Sequence, residues 1–179
     1  MIDLQAYRNS VDVLARLNSD FVFHNNTAEH AAIVMEAIIR HAKERVRIFE
    51  NELCGDLLDN NELLLDSIEE KVQHRKRVEI VLQKNLGSHG TNKRATRLLN
   101  IAADNPDYLV VRTASPAFVK SITEINGTLS FVSVGDRSSF RLENAAIPRK
   151  ALCAFRGPKV ARLIAEKFDA QFSSCQAYV

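Results

Sequence analysis

Three times between residues 28 and 112 the chain passes from apolar residues at helical spacing into a short β-branched or aromatic run. The helical stretches are 28–45 (AEHAAIVMEAIIRHAKER), about 61–74, and 93–103. The strand-like runs are 46–49, 78–82 and 108–112. A helix between two strands returns the chain to the same end of a sheet. The three strands are therefore expected to run parallel, with helices covering them. Thr27 suits the N-cap of the first helix. Leu64, Leu65, Ile68 and Val72 make the apolar side of the second, and Leu98, Leu99, Ala102 and Ala103 that of the third. A leading helix is expected over 4–17 and a short strand over 21–23, with loops at 53–60 and 85–92.

The last third changes character. Residues 128–134 and 138–142 are strand-like and are split by Gly135-Asp136, which reads as a hairpin. A closing helix is expected over 157–172, with Pro158 in its first turn. The predicted architecture is α/β: a mixed, largely parallel sheet flanked by helices, ending in a β-hairpin and a C-terminal helix. With no internal repeat or linker, residues 1–179 are expected to form one domain, the leading helix occupying 1–20.

Cys54, Cys153 and Cys175 are odd in number and widely spaced, so neither a disulfide framework nor a CxxC metal site is expected. The five histidines, His24, His30, His41, His74 and His89, include no i, i+4 pair. No metal and no cofactor are expected. No apolar run approaches the roughly 18–20 residues of a membrane span. The N-terminus carries acids and lacks an apolar signal core. These features predict a cytoplasmic protein without a membrane span.

The net charge of +2 conceals an asymmetry. Residues 1–70 hold 14 acids and 6 bases (−8), and residues 71–179 hold 18 bases and 8 acids (+10). Either the second half presents a basic face, or an interleaved fold mixes the two sets.

Three stretches carry a family resemblance: VRIFENELCGDLLDNNELLLDSIEEKVQHRKRVEIVLQ, LSFVSVGDRSSFRLEN and RLIAEKFDAQF. Their order resembles one repeat of the phospholipase D superfamily, and GSHGTNKRATRLLNIAADNPDYLVVR resembles small single-repeat bacterial members. The family's hairpin carries His-x-Lys-x4-Asp. The His attacks the phosphodiester and the Lys stabilises its charge. With Asp136 on the motif's Asp, Leu129 stands at the His position and Phe131 at the Lys position. Neither can do that chemistry, and no His follows His89. The resemblance thus implies a catalytically degenerate, bacterial binding or regulatory module, with a protein partner as one option. Single-repeat members pair as homodimers through their motif hairpins, so a homodimer is expected. Asp136 is then most simply a turn residue.

The alternative is a phosphodiesterase or nuclease that uses His24, at a strand end, with His89 and Lys93 in a glycine-bearing loop before a helix. Candidate phosphate or nucleic-acid contacts are Arg75, Lys76 and Arg77, then Lys84, His89, Lys93, Arg94 and Arg97. They lack interleaved aromatics, so contacts would be with phosphates and would be salt-sensitive.

Overall fold

The computed structural model describes residues 3–52, 62–84, 93–147 and 149–178. Its elements, in chain order, are α1 (Leu4–Arg16), β1 (Phe23–Asn25), α2 (Ala28–His41), β2 (Arg45–Glu50), α3 (Glu62–Gln73) and β3 (Arg77–Leu82). There follow α4 (Lys93–Asp104), β4 (Leu109–Thr113), α5 (Pro116–Thr123), β5 (Ser130–Gly135), β6 (Ser139–Asn144), β7 (Ala151–Ala154), α6 (Pro158–Phe172) and β8 (Gln176–Ala177). The strands make one sheet in the order β1-β7-β6-β5-β2-β3-β4-β8. The expected loops at 53–60 and 85–92, with Cys54 and His89, lie outside the described residues.

The sheet is mixed and flanked by helices, as the alternation predicts. Its parallel part is narrower than expected: β2–β3 and β3–β4 pair in parallel, and the other pairings are antiparallel. The reason is the meander after β4. Strand β5 lies antiparallel beside β2, and β6 and β7 continue outward to β1. Strand β7 (ALCA) lacks the β-branched run that marks a strand in sequence, and β8 has only two residues.

Each central strand buries both faces, so its apolar run is nearly continuous. In β2, Val46 and Ile48 join α2, α3 and α4 on one side, while Phe49 joins α5 and α6 on the other. Helix α1 lies over α2, with Val11 and Ala15 against Ile38, Cys153 and Phe155.

Several predicted boundaries move. Helix α2 stops at His41 rather than 45, because Ala42 is already extended (ψ 137°) and leads into β2. The strand expected over 21–23 forms at Phe23–Asn25, leaving Phe21 and Val22 exposed. On α4 the buried residues are Ala95, Leu98 and Ile101, while Ala103 faces solvent. Helix α5 is an unpredicted element, although its signals are present: the Ser115 side chain accepts from the Phe118 amide (3.1 Å), and Pro116 occupies the first turn. Closure of α6 depends on Gly157, where a Cβ would run into the Phe140 ring.

Phe118 is fully buried and meets Phe49 and Phe168 edge-on at 5.2 and 5.1 Å between ring centroids. Truncation to Ala leaves a cavity that the two rings cannot fill. Phe118→Ala is expected to cost about 3–5 kcal/mol in urea unfolding, and a loss under 1 kcal/mol would mean that α5 is not anchored by this ring.

Candidate functional site

The hairpin places the two ends of the family motif in different surroundings. Phe131 is buried and lies 5.6 Å, centroid to centroid, from the Phe49 ring, and Leu129 is half-buried on the same apolar cluster. This is the carboxyl end of β2, where Phe49 pairs with Val132 and where α/β folds commonly place their sites. Side chains of the core occupy both positions. Phe131 is committed to its own chain, so it adds no apolar surface for a partner.

Asp136 sits at the other end of β5. It and Arg137 are left-handed (φ 53° and 65°), and Asp is one of the few residues that tolerate this in a tight turn. Its carboxylate accepts from the backbone N–H groups of Lys43, Glu44 (2.9 Å) and Arg45 (2.9 Å). Its own N–H donates to the Arg45 carbonyl at 3.0 Å. Asp136 is thus more than a turn residue, because it fastens the hairpin to the α2–β2 junction.

Between these ends lies a cluster that the sequence reading missed. Arg141 of β6 is fully buried. Its Nε donates to Asn25 Oδ1 (3.2 Å), one Nη to Glu50 (3.2 Å) and the other to Glu143. Glu143 also accepts the Arg149 N–H at 2.8 Å, and the Cys153 thiol donates to Asn25 at 3.3 Å. Tyr7 stacks on His30 at 3.9 Å over this region. The Tyr7 and Ser133 hydroxyls are buried without a hydrogen-bond partner among the described residues. Asn25 and Glu50 lie far in sequence from Arg141 and Glu143, and Arg141 looks like an ordinary strand charge until β5, β6 and β2 are paired. The only available signal was alternation: Arg141 and Glu143 fall on one side of a strand bordered by apolar residues.

Two carboxylates share one guanidinium here without solvent. Burial pushes the Glu50 carboxyl up to about 7, opposed by Arg141 and reinforced by Glu143. Burial also pushes the Cys153 thiol up to about 12 and raises that of Cys175, so both thiols stay protonated and unreactive.

The predicted cations do not form one patch. Arg75, Lys76 and Arg77 lie at the amino end of β3, whereas Lys84 follows its carboxyl end and Lys93, Arg94 and Arg97 open α4. Six strand residues separate these groups by roughly 20 Å. Lys76 pairs with Glu44 (3.1 Å), Arg77 with Glu79 (2.8 Å), Lys84 with Glu52 (3.3 Å), and Arg97 with Asp66 (2.8 Å) and Glu69. With Arg141–Glu50 and Arg156–Asp20, cations of the second half repeatedly meet acids of the first, so the fold interleaves the two charge sets. His24 is exposed on edge strand β1, five strand spacings (roughly 24 Å) from β3, and is not assembled with Lys93. His89 lies outside the described residues. Among the described residues, no three His, Cys, Asp or Glu side chains group as a metal site, and no helix is long and apolar enough to cross a membrane.

Glu50 gives this cluster a pH signature. Its folded value lies above the ordinary carboxylate value of 4.5. The stability it contributes is therefore full below about pH 4.5 and is lost as pH rises through about 7. Urea unfolding of Glu50→Gln is expected to show a flattened fall in stability between pH 5 and 8, where the parent loses up to about 3 kcal/mol. Parallel pH profiles for the two proteins would refute the assignment.

No family model matches the chain, and no curated protein matches it significantly in sequence. Among solved structures it is similar to TrmBL2, an archaeal chromatin protein described as showing a novel mode of DNA binding. That match has a TM-score of 0.62 at 16% identity and covers 97% of this chain and 61% of that one. It is also similar to NucT from Helicobacter pylori, with a TM-score of 0.58 at 13% identity over 88% of this chain and 98% of that one. Phosphatidylserine synthase from Haemophilus influenzae Rd KW20 follows, with a TM-score of 0.49 at 13% identity over 86% and 37% of the two chains. At these identities the likeness is one of fold, and the fold is phospholipase D-like.

Proposed function

We propose that this chain is a phospholipase D-like binding module that does not cleave phosphodiesters and that contacts nucleic acid through its phosphates. The observation that carries the reading is the burial of Phe131 and the packing of Leu129 at the positions where the family motif needs a nucleophile and a charge stabiliser. The protonated, buried thiols supply no substitute nucleophile.

The surface best suited to phosphates is the amino end of β2 and β3. Arg45 pairs in register with Arg77, Arg75 precedes them in a left-handed turn, and Arg137 stands on the adjoining hairpin. Arg75 is exposed and has no acidic partner among the described residues. Arg45 and Arg137 share Asp169 with Arg47, and Arg45 and Arg77 share Glu79, so four guanidiniums meet two carboxylates. This leaves positive charge for a polyanion. The DNA-binding chromatin protein among the structural neighbours supports the same partner class. Assembly as a homodimer is supported by the resemblance to single-repeat members of the superfamily.

Purified protein is expected to show no turnover of DNA, RNA or a bis-aryl phosphodiester, with or without divalent metal. Metal-independent turnover that is lost in His24→Ala would overturn the non-catalytic reading. In binding titrations with duplex DNA, Arg75→Ala and Arg77→Ala are each expected to weaken affinity regardless of sequence and to lower the salt slope by about 1. Lys84→Ala and Lys93→Ala are expected to leave it nearly unchanged. Light scattering is expected to give twice the chain mass at micromolar concentration.

A further inference from the structure

A cavity of about 380 Å³ opens where the ends of α1 and α2 face the β5–β6 turn. Its walls include Arg16 and Asn18 at the end of α1, His41 and Lys43 at the end of α2, and Asp136 and Ser138 of the turn. The size is at the lower end of small-molecule sites, which span about 300–1,000 Å³. It lies at the opposite end of β5 from Leu129 and Phe131, so it is separate from the family's catalytic position.

The charges around it are unusual for this protein. Most of its described arginines are already matched to acids: Arg8 to Glu36, Arg40 to Asp12, Arg45 to Glu79, Arg47 to Asp169, Arg97 to Asp66 and Arg156 to Asp20. The Arg16 and Lys43 side chains have no such partner among the described residues, and both are exposed at the cavity. The helix macrodipole favours cations at the ends of α1 and α2, but it does not explain why these border a concavity unpaired. Asp136 is the one acid on the wall. Its carboxylate accepts from three backbone N–H groups, and its single negative charge is outnumbered by Arg16 and Lys43.

His41 reports the resulting field. Burial pushes its imidazole below the ordinary value, and Arg40, Lys71 and Arg16 push the same way, against Asp12. Lys71, on α3, reaches over to donate to the Ala42 carbonyl. The groups facing His41 are thus Arg16 and Asp12 from α1, Arg40 and Lys43 from its own segment, Lys71 from α3 and Asp136 from the turn. The balance is positive.

We infer that this cavity binds the phosphate group of a small phosphorylated molecule. Arg16 and Lys43 supply the charge, the Asn18 side-chain amide donates a hydrogen bond, and the remaining volume takes a short organic part. Arg16 suits a phosphate because its planar guanidinium can donate two parallel hydrogen bonds. An anion between Arg16, Lys43 and His41 opposes the burial and the neighbouring cations that push the imidazole below its ordinary value, so binding is coupled to proton uptake by His41.

Calorimetry and histidine NMR on the full chain test this with three probes: inorganic phosphate, ribose 5-phosphate, and a 5′-phosphorylated oligonucleotide. Saturable binding of ribose 5-phosphate is expected, with the His41 titration midpoint moving upward and the resonance assigned by its loss in His41→Gln. Arg16→Ala and Lys43→Ala are each expected to weaken binding about tenfold or more. Both positions are exposed, so folding survives and circular dichroism checks it. Lys167→Ala, on α6, is expected to leave binding unchanged. The inference fails if neither small phosphate binds, if binding ignores Arg16 and Lys43, or if only the oligonucleotide binds. It is independent of the nucleic-acid reading, which fails instead on Arg75 and Arg77.

Discussion

One carboxylate joins the two halves of this fold. Asp136 closes the hairpin turn and also takes up the N–H groups at the start of β2, so β5 is fixed beside β2 in antiparallel register. Without it, three consecutive amides at the α2–β2 junction would need other acceptors, that of Arg45 at a partly buried position. Everything outward from β5, namely β6, β7 and β1, takes its register from that attachment. The same residue explains why α2 ends where it does. Amides that could have extended the helix are aimed at the turn instead.

Much of this was legible in the sequence because local chemistry and the final fold agree. The alternation of helical and strand-like segments located α2 to β4, and Thr27 caps α2 as its position implies (His30 N–H to Thr27 Oγ1, 3.2 Å). Elements whose existence depends on neighbours were not legible. Strand β7 is four small or soft residues that become a strand only because β6 and β1 flank it. Helix α5 was signalled by Ser115-Pro116, but eight residues show little periodicity. Leu129 and Phe131 could be located from the order of motifs, whereas their packing against Phe49 required the sheet.

The charged residues teach a similar lesson. Runs of bases looked like a patch because the chain lists them close together, yet a strand's length separates Arg77 from Lys84. Acids distant in sequence then pair with Lys76, Lys84 and Arg97. The converse holds for Arg141, Glu50, Glu143 and Asn25. Strand alternation groups Arg141 with Glu143, but Glu50 and Asn25 are distant in sequence and no spacing rule would add them.

That buried cluster bears on how the chain folds. Its members come from β1, β2, β6 and the loop before β7, and the bonds of Arg141 to Asn25 and Glu50 join segments far apart in sequence. A chain that had formed only the β2–β3–β4 core would hold Glu50 at an open sheet edge, still hydrated. Docking of the β5–β7 meander must strip water from Glu50, Glu143 and Arg141 together, and intermediate placements leave a charge desolvated without its partner. The cluster therefore acts as a check on strand register: a slipped meander would bury these charges without their partners.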